Sequence, residues 1–213
     1  GAVDENARVL FGDQLLVVFG RDAVRRFGPG ARVIFDVKCS DLLPTALRAA
    51  GAEPEMWKTG HSLIKARMKE QHAVLAGEMS GHMFFAGDWF GFDDALFAAA
   101  RLLEIVSHGP RGLASYLADL PLTFATPEIR VDCPDDRKFE IVAEATAHFR
   151  ARYPVNDIDG VRMSFAHGWG LIRASNTQPI LVLRFEATDE RSLAEYQREV
   201  LHWLSERGVQ GPG

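Results

Sequence analysis

The chain has 213 residues, 47% of them hydrophobic and 25% charged, and its 24 Lys plus Arg against 29 Asp plus Glu give a formal charge of −5. Those proportions are ordinary for a globular protein and exclude a disordered or low-complexity chain, while roughly 100–200 residues per domain allow one large domain or two small ones. The acidic balance argues against a nucleic-acid partner; no apolar run reaches the roughly 18 residues of a membrane span, and no signal-peptide pattern opens the chain. Cys39 and Cys133 form no CxxC pair and join no His/Cys cluster, so they read as reduced thiols of a cytoplasmic protein.

In chain order, residues 13–27 are amphipathic and stop sharply at Gly28, Pro29 and Gly30, which predicts a helix. Residues 33–38 form a short apolar run ending on Lys38, as a buried strand emerging at a sheet edge would. A helix over 41–50, a strand over 53–58, a helix over 61–70 and a strand over 73–79 follow. The stretch 93–108 opens on Asp93 and Asp94, suited to a helix N-terminus. Its face Leu96, Ala99, Ala100 and Leu103 keeps helical spacing and the remainder is nearly as apolar, which predicts a buried helix. Strands alternating with helices at this spacing predict an α/β layer structure.

The rhythm changes near Leu120 and Pro121, which divides the chain into domains over 1–121 and 122–213. The second part holds a strand over 127–131 and a helix over 136–150, with Phe139, Val142, Thr146 and Phe149 on one side. Two or three strands follow, over 160–165, 169–173 and 180–186, then a helix over 189–207 carrying Leu193, Tyr196, Val200 and Trp203. Short connections between these strands predict an antiparallel α+β domain flanked by two helices.

Three segments of the first part end strands or helices with polar residues among small ones: 36–40 (DVKCS), 57–62 (WKTGHS) and 77–82 (GEMSGH). Ligands gather beyond the carboxyl ends of strands in α/β sheets, so a lysine, two histidines, a carboxylate and a hydroxyl there would grip sugar hydroxyls and phosphate oxygens. Lys38 alone also fits a strand-end lysine whose ammonium reaches water along its stem, and His61 and Ser62 also fit a helix start. Glu78 and His82 stand four apart without a second histidine at that spacing, so zinc is not expected. In the second part, residues 173–179 (RASNTQP) could hold a phosphate dianion through the Arg173 fork and small polar donors, or could be a polar turn.

With these segments in view, the sequence resembles bacterial phosphomannomutase/phosphoglucomutase members of the α-D-phosphohexomutase superfamily, over nearly the whole chain and in the third and fourth domains only. GEMSGH resembles the family's sugar-recognition loop, and Met79 points to the mannose/glucose subgroup, where phosphoglucosamine mutases usually carry glutamine. RASNT resembles the phosphate-binding loop of the fourth domain; DVKC, WKTGHS and residues 89–94 (WFGFDD) also match. The fold class expected is a three-layer α/β domain with a mixed sheet, then a smaller α+β domain with an antiparallel sheet flanked by two helices.

The resemblance implies an enzyme that interconverts hexose 6-phosphates and hexose 1-phosphates through a phosphoserine and a hexose 1,6-bisphosphate intermediate, with magnesium screening the transferred group. Glu78 and Ser80 would grip the sugar's O3 and O4; Lys38 and His61 would contact phosphate or hydroxyls; Arg173, Ser175, Asn176 and Thr177 would hold the non-reacting phosphate. His82 would assist proton transfer or position a hydroxyl. Neither a T-A-S-H-N-P-like serine loop nor a D-G-D-G-D-R-like magnesium loop occurs in the sequence, so the chain reads as a fragment, inactive alone, whose N-terminal domains complete the site. The alternatives are a phosphoglucosamine mutase fragment and a non-enzymatic module that binds sugar phosphates.

Overall fold

In the computed structural model, which describes residues 1–109 and 112–211, a two-stranded hairpin of β1 (Ala2–Val3) and β2 (Val9–Leu10) leads into α1 (Gly12–Phe27). The alternation read from the sequence then unfolds as β3 (Arg32–Asp36), α2 (Leu42–Ala49), β4 (Glu53–Trp57), α3 (His61–Glu70), β5 (Leu75–Gly77), β6 (Met83–Phe85) and α4 (Ala95–His108). A 3-10 turn at Leu113–Leu117 follows. The chain divides into two units, Gly1–Pro121 and Leu122–Gly213.

The first unit's sheet runs β4-β3-β5-β6, parallel at β4/β3 and β3/β5 and antiparallel at β5/β6. Because alternate residues point to opposite faces, Val33, Phe35, Leu75, Met83 and Phe85 join a core with α1, α2 and Ile105, while Ile34, Ala76 and Phe84 pack with Ile64 and Met68 of α3. The result is three layers around a mixed sheet. Strand β3 ends at Asp36, two residues short of the run read from composition, because Cys39 N–H turns back to the Asp36 carbonyl at 3.1 Å.

Helix α4 departs from its expected placement. The face bearing Leu96, Ala99, Ala100 and Leu103 points outward, with Leu96 85% and Leu103 71% exposed. Phe97, Ala98, Leu102, Ile105 and Val106 pack inward instead, and Ile105 is the buried residue of the helix. The helix's charged residues do not mark its solvent side: Arg101 stands four positions from both Phe97 and Ile105, nearly buried and paired with Asp88, so the neighbours and not the pattern decide which face meets the core. Asp94 is the N-cap, accepting from Leu96 and Phe97 N–H, and Asp93 lies outside the helix.

The second unit comprises β7 (Phe124–Ala125), β8 (Ile129–Asp132), α5 (Lys138–Arg150), β9 (Val155–Asn156), β10 (Val161–Phe165), β11 (Gly168–Ala174), β12 (Ile180–Ala187) and α6 (Glu190–Ser205). All its strand pairs are antiparallel, and α5 and α6 share one core with Val161, Met163, Phe165, Ile172, Leu181, Leu183 and Phe185. On α6 the expected Tyr196, Val200 and Trp203 are buried, joined by Leu204. On α5 the inward face is Lys138, Ile141, Ala145 and Phe149, and Phe139 is turned out at 59% exposure. Arg162 and Arg184, across from Leu171 on either side, share the sheet's other face with Trp169 and Arg173; the Arg162 guanidinium stacks on Trp169 at 3.8 Å. Among the described residues no helix is long and apolar enough to cross a membrane.

Candidate functional site

Strands β4, β3 and β5 are parallel, so their carboxyl ends share one edge, and the segments 57–62, 36–41 and 77–82 leave from it. Asp36 closes the central strand and is fully buried. Its Oδ1 accepts from Met79 N–H at 3.0 Å and from Cys39 Sγ at 3.0 Å, and its Oδ2 accepts from the Thr59 hydroxyl at 3.2 Å. One carboxylate thus joins the loops that follow three strands. Lys38, itself buried, places Nζ 3.8 Å from Asp36 Oδ2.

The 78–82 turn is held on its own account. Glu78 N–H donates to the His82 carbonyl at 3.0 Å and Gly81 N–H to the Glu78 carbonyl at 2.9 Å, closing the β5–β6 hairpin. The N-terminus of α1 presses against this turn: Gly12 N–H donates to the Met79 carbonyl at 3.3 Å, and a Cβ on Gly12 would stand 2.2 Å from the Glu78 carbonyl oxygen. Next to it Asp13 accepts from Ser40 N–H at 3.1 Å, tying α1 to the loop after β3.

Glu78 is 3% exposed and its Oε1 accepts from Gly60 N–H at 2.9 Å. Gly60 can present that N–H because it sits at φ +128°, in the region that favours glycine. Burial pushes the Glu78 carboxyl above its ordinary value; the Gly60 N–H opposes this and the Asp36 charge adds to it. A carboxyl raised in the folded state binds its proton more tightly there than in the unfolded chain. Its contribution therefore falls as pH rises from about 4.5 through the higher folded value. Glu78→Gln is expected to narrow its stability deficit, or widen its gain, against wild type as pH rises through that window, read from urea unfolding at several pH values. A difference independent of pH there would contradict the raised carboxyl.

His82 places Nδ1 2.6 Å from Asp93 Oδ2, while Asp93 Oδ1 accepts from Met83 N–H at 3.3 Å. An ionised carboxylate only accepts, so Nδ1 carries a hydrogen and Nε2 is the nitrogen left to face a ligand. The His61 ring, at the first residue of α3, lies 6.3 Å from that of His82. Lys38, His61, Glu78 and His82 are thus brought together at one sheet edge. Ser80 is exposed in the same turn. Among the described residues no three His, Cys, Asp or Glu side chains converge as a metal site, and this donor set does not suit magnesium.

In the second unit Arg173, buried near the end of β11, places its Nε 3.1 Å from Asp159 Oδ2 and its Nη2 3.5 Å from Oδ1. The Ser175 hydroxyl accepts from Thr177 N–H at 3.3 Å and Gln178 N–H at 3.2 Å, and Ser175 N–H donates to the Ile180 carbonyl at 3.0 Å. Ser175 therefore shapes the turn from within, while Asn176 and Thr177 are exposed on it. The far side is pinned by Lys138 Nζ on the Gln178 carbonyl at 3.0 Å and Cys133 N–H on the Pro179 carbonyl at 2.9 Å. Both cysteines are free thiols, buried.

Residues 11–124 match the family model described as phosphoglucomutase/phosphomannomutase, alpha/beta/alpha domain III, and residues 128–202 match the model of the C-terminal domain. The chain belongs to the phosphoglucomutase/phosphomannomutase family. A phosphomannomutase/phosphoglucomutase of Pseudomonas aeruginosa is 47% identical over 194 residues, covering 91% of this chain and 42% of the relative. A phosphoglucomutase of Neisseria gonorrhoeae is 45% identical over 200 residues, covering 92% of this chain and 43% of the relative. A crystal structure of a phosphoglucomutase/phosphomannomutase family protein from Burkholderia thailandensis superposes with a TM-score of 0.86 at 39% identity, covering 99% of this chain and 45% of that one. The chain thus spans less than half the length of the curated relatives it matches.

In this phosphoglucomutase/phosphomannomutase chain, sequence reasoning assigned no role to Asp36, Gly12, Asp93 or Asp159 in the candidate site, although Asp36 and Asp93 lie in the segments DVKCS and WFGFDD that it singled out. Asp93 read as a helix start, and its signal was the second acidic residue beside it: Asp94 suffices as the cap. Gly12 and Asp159 had no local signal.

Proposed function

We propose that this chain supplies the sugar- and phosphate-gripping part of an enzyme interconverting hexose 6-phosphates and hexose 1-phosphates of the mannose and glucose series. In that reaction a phosphoserine outside these 213 residues donates its phosphoryl group to the sugar, the bisphosphorylated sugar turns over, and its other phosphate returns to the serine. The reading rests most directly on the buried Glu78 carboxylate, oriented by Gly60 N–H at a sheet edge with Lys38, His61 and His82 about it. Glu78 and Ser80 accept from and donate to O3 and O4, hydroxyls that stay usable when the sugar reverses and are common to glucose and mannose. Lys38 and His61 meet phosphate or hydroxyl oxygens. His82 Nε2 accepts a hydroxyl proton or orients that hydroxyl. Arg173, Asn176 and Thr177 hold the non-reacting phosphate on a turn that Ser175 shapes.

Magnesium, which the resemblance implies for the whole enzyme, finds no ligand set among the described residues, and the chemistry assigned to these side chains does not run through it. The remaining length of the relatives would carry the serine and the metal.

Titration of the labelled chain with glucose 6-phosphate, followed by amide shifts, tests the reading. Binding is expected in the millimolar range, roughly −4 kcal/mol, with shifts at residues 78–82 and 175–177. Arg173→Lys keeps the charge and loses the planar fork, so the 175–177 shifts should vanish. Amides of 175–177 that stay still in the wild type while others move would reduce the segment to a polar turn.

A further inference from the structure

We infer that Asp159 is a positioning residue for the Arg173 guanidinium and sets which of its edges meets phosphate. The inference rests on the phosphate reading of the 173–177 segment. Asp159 lies on the connection between β9 and β10, on neither side of the turn that carries Ser175, Asn176 and Thr177. Its two oxygens lie 3.1 Å from Nε and 3.5 Å from Nη2, so the carboxylate occupies the side-on edge of the fork. The end-on edge, Nη1 with the second hydrogen of Nη2, meets no acceptor among the described residues and keeps the paired donors that two phosphate oxygens need. A guanidinium has few ways to be held so firmly and still offer a fork.

The neighbouring Gly160 shows that this geometry is set by direct contact. Gly160 sits at φ +84°, and a Cβ there would stand 2.3 Å from the Ile172 carbonyl oxygen and 2.7 Å from Arg173 Cα. The 159–160 turn therefore lies directly on the Arg173 backbone, which fixes the carboxylate against the side chain that leaves it. Arg173 and Asp159 are 7% and 15% exposed along their side chains, so water competes little for either.

The sign of one substitution separates positioning from plain charge. Asp159 brings a negative charge beside an anion site, so charge alone predicts that removing it tightens binding. Positioning predicts the opposite, since a freed Arg173 must be ordered by the ligand itself. Inorganic phosphate is titrated into the labelled wild-type, Asp159→Ala and Asp159→Asn chains at low salt, following the 175–177 amides and the Arg173 Nε–H signal. Asp159→Ala is expected to bind about ten-fold more weakly and to lose the distinct Nε–H signal. Asp159→Asn keeps one oxygen acceptor and should recover part of both; a purely structural role would leave the Nε–H signal and the recovery unlinked. Equal or tighter binding by either variant with a native amide spectrum overturns the inference. Should Asp159→Ala fail to fold, Asp159→Asn decides alone by the same criterion. Wild-type 175–177 amides that ignore phosphate overturn the phosphate reading itself, whatever the variants do, and the inference with it.

Discussion

Asp36→Ala is expected to lower the stability of the Gly1–Pro121 unit by about 3 kcal/mol, from three hydrogen bonds of about 1 kcal/mol each and a Met79 N–H left without its acceptor. The nearby Lys38 ammonium also loses its countercharge, which acts in the same direction. Asp36→Asn keeps one acceptor oxygen and should lose about half as much. Native-state amide exchange reads the two units separately, which a single melting curve of a two-unit chain does not. Amides of β3, β4 and β5 should lose protection together while those of β10 to β12 stay unchanged. A loss below about 1 kcal/mol would show that the three loops hold their places without Asp36. The functional counterpart is joint: Lys38 and Glu78 sit on loops that Asp36 ties, and His61 opens the helix that follows the third, so hexose phosphate shifts at 78–82 should fade in the same variant.

Gly12→Ala opposes helix propensity to close packing. In an exposed helix alanine is favoured over glycine by up to about 1 kcal/mol. Here the new Cβ would stand 2.2 Å from the Glu78 carbonyl oxygen and 2.8 Å from both Gly81 N and the Met79 carbonyl oxygen. None of these is the flexible end of a side chain. Nor can α1 back away, because Leu15, Leu16, Val17, Val18 and Phe19 are all buried in the core behind it. Overpacking of this kind costs 1–3 kcal/mol or somewhat more, so the expected outcome is a net loss of about 2 kcal/mol. The strain falls on the turn carrying Glu78 and Ser80. Shifts of residues 78–82 with glucose 6-phosphate should weaken, and those of 175–177, in the other unit, should persist. A variant as stable as wild type with both responses intact would mean that the turn yields freely and that α1 does not brace it.

What the sequence determined by itself is what short-range periodicity encodes. Helix α6 repeats its apolar residues every three or four positions against a polar remainder, and Tyr196, Val200 and Trp203 are buried as that spacing requires. The polar residues at strand ends marked 36–40, 57–62, 77–82 and 173–179, and the quoted motifs carried the family. Where the pattern is silent, tertiary structure decided. Helix α4 carries its charged Arg101 four positions from both Phe97 and Ile105, so only the neighbouring core could choose these two over Leu96 and Leu103. Strands β6, β7 and β9 are two or three residues long, too short for an alternation to show. The partners within the site lie furthest from local view. Asp36 meets Met79 across 43 positions and Arg173 meets Asp159 across 14, contacts made by parallel pairing in one unit and antiparallel pairing in the other. A polar residue at a strand end looks the same in sequence whether water or a neighbouring strand's loop receives it; the difference is the burial that the sheet imposes, which turns a solvated carboxylate into a fixed acceptor.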